Sequence, residues 1–257
     1  MREPAEAEKF TVRINEREGV TALLYAAAKK NRAGITVSLG HGAGGNQMSA
    51  IMCMFAIGLA ARGLDVMTFN FLYTEQGRGA PDPKTKLEAC YRAVIEAALK
   101  HKKLKGNRLV VGGKSMGGRI ASQVAAEDEN DSTLTGGRAS ARLAGLVFLG
   151  YPLHPPGKPD QMRDAHLKFI SAPMLFVQGS RDAFGLPEEL RAVIERDRLS
   201  ATLQVIDGGD HSFKVPKTSS LPQQQVYETT MDQIARWLKM NINVAGSGRN
   251  AVRIATG

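Results

Sequence analysis

One stretch, "VVGGKSMGG" at residues 110–118, constrains the fold more than any other. A β-branched run stops at paired glycines, a serine follows, and helix-forming residues begin at Met116. Two local structures contain such a string. A phosphate loop of the form G-x-x-x-x-G-K-[ST] needs a glycine at position 108, where the chain has Arg108. The run Leu109-Val110-Val111 also leads almost directly into Lys114, leaving no length for backbone N–H groups to wrap a phosphate. The other structure is the G-x-S-x-G turn, here Gly113-Lys114-Ser115-Met116-Gly117, set between a strand and a helix. Such a turn strains the backbone at the serine and lifts its hydroxyl above the strand end. The residues at 113–117 fit this turn and not the phosphate loop.

The rest of the chain supplies the alternation this turn requires. Two strands are predicted first, Phe10 to Glu16 and Val20 to Ala27, around a polar turn at Gly19. Strands then alternate with helices. The strands are Ile35–His41, Asp65–Phe71, Arg108–Gly113, Leu143–Gly150, Pro173–Gly179 and Ala201–Asp207. The helices are Met48–Gly63, Lys84–Lys102, Met116 to about Ala126, a short stretch near Asp164–Ile170, Pro187–Asp197 and Gln223–Asn241. Residues 72–83 and 128–142 read as polar loops. This order predicts a mostly parallel sheet covered on both faces, with ligands beyond the C-terminal strand ends. The 257 residues suit a single domain over 1–241, followed by an aperiodic tail over 242–257.

Reactive residues of such a sheet are therefore expected just after its strands. A serine hydroxyl needs a base to take its proton, and the base needs an acid to fix its tautomer. In a strand–turn–helix layout the expected order is Ser, then Asp or Glu, then His. Asp182 follows the strand "PMLFVQ", and His211 follows "TLQVI". Both lie downstream of Ser115 in that order. The oxyanion donors expected are the N–H of Met116 and that of Ala43, with Gly44 as its substitute, in the loop "LGHGAGGN".

On these residues the chain resembles the α/β-hydrolase superfamily from about Phe10 to Met240. "HGAGG", "GGKSMGGR" and "GYPLHPPGKP" resemble its dienelactone-hydrolase-like branch, and more narrowly the group of testis-expressed protein 30 and its bacterial relatives. The resemblance implies Ser115 as nucleophile, Asp182 as orienting acid and His211 as base. It also carries a departure: dienelactone hydrolases proper use cysteine where this chain has Ser115, which favours oxygen esters as substrates.

The remaining candidates have plainer readings. Asp210 adjoins His211 and cannot easily turn toward it, and Asp207 is weaker still. His41 is expected to support the oxyanion loop, and His166 to pack or cap. His101 is expected in solvent. Lys114 is expected to point away from the reacting centre, and Arg119 to anchor neighbouring loops. Tyr151, Leu153 and His154 are expected at the pocket wall. Only residues 151–172 separate two strands where lids usually enter, so a minimal cap and small or medium esters are expected. No metal or cofactor is required.

Cys53 and Cys90 have no metal-ligand spacing. The net charge is +9, but the basic run from Lys100 to Arg108 has no interleaved aromatics and reads as a solvated helix end, so no nucleic-acid partner is expected. No apolar run reaches bilayer length and no apolar signal core opens the chain, so neither a membrane nor secretion is expected and the cytoplasm is the default. The sequence assigns no oligomeric state. The same residues would also suit a thioesterase, an acyltransferase or an idle hydrolase-like scaffold that binds a protein.

Overall fold

The structure, a computed structural model, describes residues 7–130 and 143–242. Among these residues eight strands form one sheet: β1 (Glu8–Arg13), β2 (Gly19–Tyr25), β3 (Ile35–Gly40), β4 (Asp65–Phe69), β5 (Arg108–Lys114), β6 (Leu143–Leu149), β7 (Met174–Gly179) and β8 (Ala201–Ile206). Their order across the sheet is β1-β2-β4-β3-β5-β6-β7-β8. β1 and β2 pair antiparallel, as do β2 and β4. Every other pairing is parallel.

Parallel strands need crossovers, and among the described residues six α-helices provide or flank them: α1 (Ala50–Ala61), α2 (Leu72–Glu75), α3 (Lys84–Lys100), α4 (Met116–Asn130), α5 (Pro187–Arg196) and α6 (Gln223–Ile242). Successive strand residues point to opposite faces. Val110 accordingly joins the core made with α1 and α6, and Val111 the core made with α3, α4 and α5. Covering both faces explains the near-continuous apolar runs of β3, β4 and β7, all of whose residues are buried.

Several boundaries differ from those predicted. β1 ends at Arg13 because Asn15 Oδ1 accepts the N–H groups of Arg17 and Glu18 and turns the chain. Leu72 and Tyr73, read as loop, are buried in the short α2. α4 runs on to Asn130, three residues into the expected loop; residues 131–142 lie outside the described part. The stretch near Asp164–Ile170 narrows to a three-residue 3-10 turn, Leu167–Phe169. Ile242 belongs to α6 and is fully buried; the rest of the expected tail, 243–257, is outside the described residues. Among the described residues no helix is long and apolar enough to cross a membrane.

One buried group ties the two strands that carry the functional loops. The Tyr91 hydroxyl, on α3, lies 2.6 Å from the Gly112 carbonyl and 3.0 Å from that of Ser38, and accepts the Gly112 N–H at 3.0 Å. It therefore bridges β3 and β5 from below. Tyr91→Phe leaves these backbone groups short of a partner in a dry interior. The expected loss is about 1–3 kcal/mol, read as a lower urea midpoint at unchanged slope.

Candidate active site

The turn after β5 is shaped by contact between main chains. Ser115 has φ of 50°, left-handed for a residue with a side chain. Such backbone costs roughly 1–2 kcal/mol and persists only where its surroundings enforce it. Here the enforcement is the end of β3. A Cβ at Gly113 or Gly117 would collide with the Gly40 carbonyl oxygen. Glycine lets the turn fold tightly against β3, and α4 then begins at Met116.

At this rim three distant side chains form one chain of hydrogen bonds. His211 Nε2 lies 2.8 Å from Ser115 Oγ. His211 Nδ1 lies 2.7 Å from Asp182 Oδ2. Asp182 is fully buried, and its Oδ1 accepts the Phe184 N–H at 2.9 Å. Oδ2 also accepts from the Gln178 amide at 2.9 Å. The same amide nitrogen donates to the Gly185 carbonyl at 2.8 Å, while Gln178 Oε1 accepts the Tyr151 N–H at 2.8 Å. The Phe184 ring stacks on the imidazole with centroids 4.2 Å apart. His211 is thus held by its acid on one edge and an aromatic face on the other, with its free nitrogen aimed at the serine.

A cavity of about 330 Å³ opens beside Ser115, lined by Ala43, Met116, Pro152 and Phe184 among others. The N–H of Met116 stands at the start of α4, where no intrahelical acceptor exists. Ala43 is held from below, since its carbonyl accepts the Tyr73 hydroxyl at 2.9 Å. Gly44 does not line the cavity. His41 is fully buried at the loop's base. Its Nδ1 donates to the Gly42 carbonyl at 2.8 Å, and its Nε2 accepts the Phe71 N–H at 3.1 Å. Burial holds its pKa below the ordinary histidine value, which keeps that acceptor available.

Other expectations need correction. Tyr151 and Leu153 are fully buried and do not line the cavity. The Tyr151 ring packs on Phe148 and Phe176, and its hydroxyl donates to the Arg163 carbonyl at 2.9 Å. His154 turns to Glu189, 3.2 Å away, instead of the cavity. Burial opposes its charge, but the Pro155 carbonyl and Glu189 outweigh that and raise its pKa. Among residues 151–154 it is Pro152 that lines the cavity at Ser115. Asp210, as expected, is not the partner of His211: it closes its own turn, accepting the N–H groups of Ser212 and Lys214. Asp207 is exposed. Lys114 is buried, and its Nζ has no hydrogen-bond partner among the described residues. Burial draws its pKa down to about 8, against the pull of Asp182 and Asp210. Among the described residues the Arg119 side chain anchors no loop, and its Nε is buried without an acceptor. Gln178 escaped the sequence reading, although a glutamine inside the apolar run "MLFVQG" was a visible signal.

Among the described residues no group of three or more His, Cys, Asp or Glu is arranged to hold a metal ion.

An open parallel sheet, a serine on a strained turn and an imidazole joined to a buried aspartate define a hydrolase-like site. The chain belongs to the alpha/beta hydrolase domain family, whose model matches residues 33–239. Solved structures share the fold at low identity. An alpha-beta serine hydrolase homologue from Coxiella burnetii is 18% identical with a TM-score of 0.69, the match covering 91% of this chain and 98% of that one. A serine hydrolase without lid from Xanthomonas campestris is 19% identical with a TM-score of 0.65, covering 91% and 96%. A dienelactone hydrolase from Anabaena variabilis is 17% identical with a TM-score of 0.66, covering 93% and 100%.

Two outcomes follow from this packing. Gly117→Ala forces a methyl group onto the Gly40 carbonyl, and overpacking of this kind costs about 1–3 kcal/mol or more. Thermal melting of the variant measures it. The second concerns His166, whose Nε2 lies 2.8 Å from Ser122 Oγ. Burial, then the charges of Arg119 and Lys84, lower its pKa to about 4 from the usual 6.5. Protonation therefore favours the unfolded chain. The stabilisation is complete above pH 6.5 and is lost as pH falls toward 4. His166→Gln is expected to remove roughly 2 kcal/mol of the stability lost between pH 7 and pH 5, compared by urea melts at both values.

Proposed function

We propose that this protein is a serine hydrolase that cleaves small to medium carboxylic esters through an acyl-enzyme. The observation that carries this reading is the hydrogen-bonded sequence Asp182–His211–Ser115, with distances of 2.7 and 2.8 Å, opening on a cavity.

In the proposed reaction His211 Nε2 takes the proton of Ser115 as Oγ bonds to the ester carbonyl carbon. The carbonyl π pair moves to oxygen, and the oxyanion is received by the N–H groups of Met116 and Ala43. Collapse expels the alkoxide, which takes the proton from His211 and leaves as alcohol. Water then repeats the sequence: His211 removes its proton, the hydroxide oxygen attacks the acyl carbon, and Ser115 departs with the proton. One ester and one water yield one acid and one alcohol. Asp182 holds the Nδ1–H tautomer and stabilises the imidazolium without itself accepting the proton.

Several features support the substrate range. The segment between β6 and β7 carries only a 3-10 turn, so little covers the cavity, and about 330 Å³ suits a small ligand. Solved structures of similar fold include esterases from Rhodothermus marinus and Pyrococcus furiosus. Within the superfamily, "HGAGG" and "GGKSMGGR" support a place in the dienelactone-hydrolase-like branch, beside the testis-expressed protein 30 group. Two free thiols agree with a cytoplasmic setting.

A fluorophosphonate probe is expected to label the wild type and leave Ser115→Ala unlabelled. Asp182→Asn is expected to lower kcat about 10⁴-fold by presenting the wrong tautomer. Turnover of p-nitrophenyl esters is expected to peak at short acyl chains; a maximum at long chains refutes the open-site reading.

A further inference from the structure

Four charged side chains line the cavity beside Ser115: Asp82, Lys84, Arg119 and Arg163. The first two are answered locally. Asp82 pairs with Arg78 at 2.7 Å. Lys84 lies 2.7 Å from Glu127 and 3.2 Å from Glu88. The arginines are different. Among the described residues no carboxylate stands within ion-pair distance of either guanidinium, and neither side chain donates a hydrogen bond. The Arg119 Nε is removed from water without an acceptor. After burial, the largest influence on Arg119 is repulsion from Arg163, with Tyr151 and Glu88 offsetting part of it. Two cations facing one cavity, with no carboxylate at ion-pair distance among the described residues, are an unfavourable arrangement that a bound anion relieves.

Both arginines are also well placed. Arg119 follows Ser115 by one turn of α4, its N–H bonded to the Ser115 carbonyl at 3.1 Å. Arg163 sits on a fixed backbone: its N–H donates to the Leu153 carbonyl at 2.8 Å, and its carbonyl accepts the Tyr151 hydroxyl at 2.9 Å. Guanidinium groups match carboxylates in a planar, two-point fashion that lysine does not.

We propose that Arg119 and Arg163 form a carboxylate-binding subsite, so that the preferred substrate is an ester bearing a second, ionised carboxylate a few bonds from the scissile carbonyl. The substrate class rests on the hydrolase reading above; the subsite itself does not.

The test compares kcat/KM for monomethyl glutarate and methyl valerate, equal in length and differing by the terminal carboxylate. The wild type should prefer the charged ester at least about tenfold, equivalent to about 1.4 kcal/mol. Arg119→Gln and Arg163→Gln should each bring the ratio toward one. A ratio cancels any loss of folded protein. Lys105→Gln removes the same charge from an exposed position and should leave the preference intact, which separates the subsite from the overall basic charge. A wild-type ratio near or below one overturns the proposal, as does a ratio indifferent to both arginine substitutions. Calorimetry of monomethyl glutarate on Ser115→Ala keeps the two readings apart. Binding that disappears when Arg163→Gln is added sustains the subsite even if neither ester is turned over. Absence of binding overturns it even if neutral esters are hydrolysed.

Discussion

An imidazole bonded at once to an aspartate and a serine demands that three loops end within a few ångströms of one another. The parallel run β5-β6-β7-β8 meets this demand, because all four strands finish at the same rim. Neighbouring strands lie about 4.8 Å apart, so the ends of β5 and β7 are within about 10 Å. The loop after β8 must then cross β7 to deliver His211. It does so over Gly179, where a side chain would strike the carbonyl oxygens of Gly209 and Asp210. Sheet order, loop path and hydrogen-bond chain are thus a single geometric solution.

The acid end of that chain is the most constrained. Gln178 closes a buried network that includes Asp182, the Tyr151 backbone and the Gly185 carbonyl. Its side chain joins the ends of β6 and β7 and the loop beyond Asp182. A network fully satisfied in a dry interior is rigid, and fixes the carboxylate before any ligand arrives. The fully buried Tyr151 serves this support twice, through its backbone and through its hydroxyl on the Arg163 carbonyl.

How much of this was legible in the sequence depended on how local the signal was. Ser115, Asp182 and His211 each stand just after an apolar run, so their placement at strand ends followed from short-range pattern alone. The mostly parallel sheet covered on both faces followed from alternation of the same kind. What escaped was set by contacts between distant segments. Tyr151 and Leu153 lie near the rim in sequence, yet the chain turns them inward onto Phe148, Phe176 and the loop at Gly185. Arg163 reaches the cavity through a backbone pinned to Leu153, a relation no periodicity announces. The basic run from Lys100 likewise looked solvated, but Lys103 pairs with Glu8 at 2.8 Å and His101 packs on Phe10 at 5.0 Å, so part of it seals the edge strand.

The meeting of Gly40 with Gly113 and Gly117 has a consequence for divergence. The separation between the serine turn and the loop bearing Ala43 is set by main chain against main chain, with no side chain interposed. Such a spacer depends on glycine at Gly113 and Gly117 and on little else around it. Side chains around those glycines can therefore change without altering the gap between the two segments.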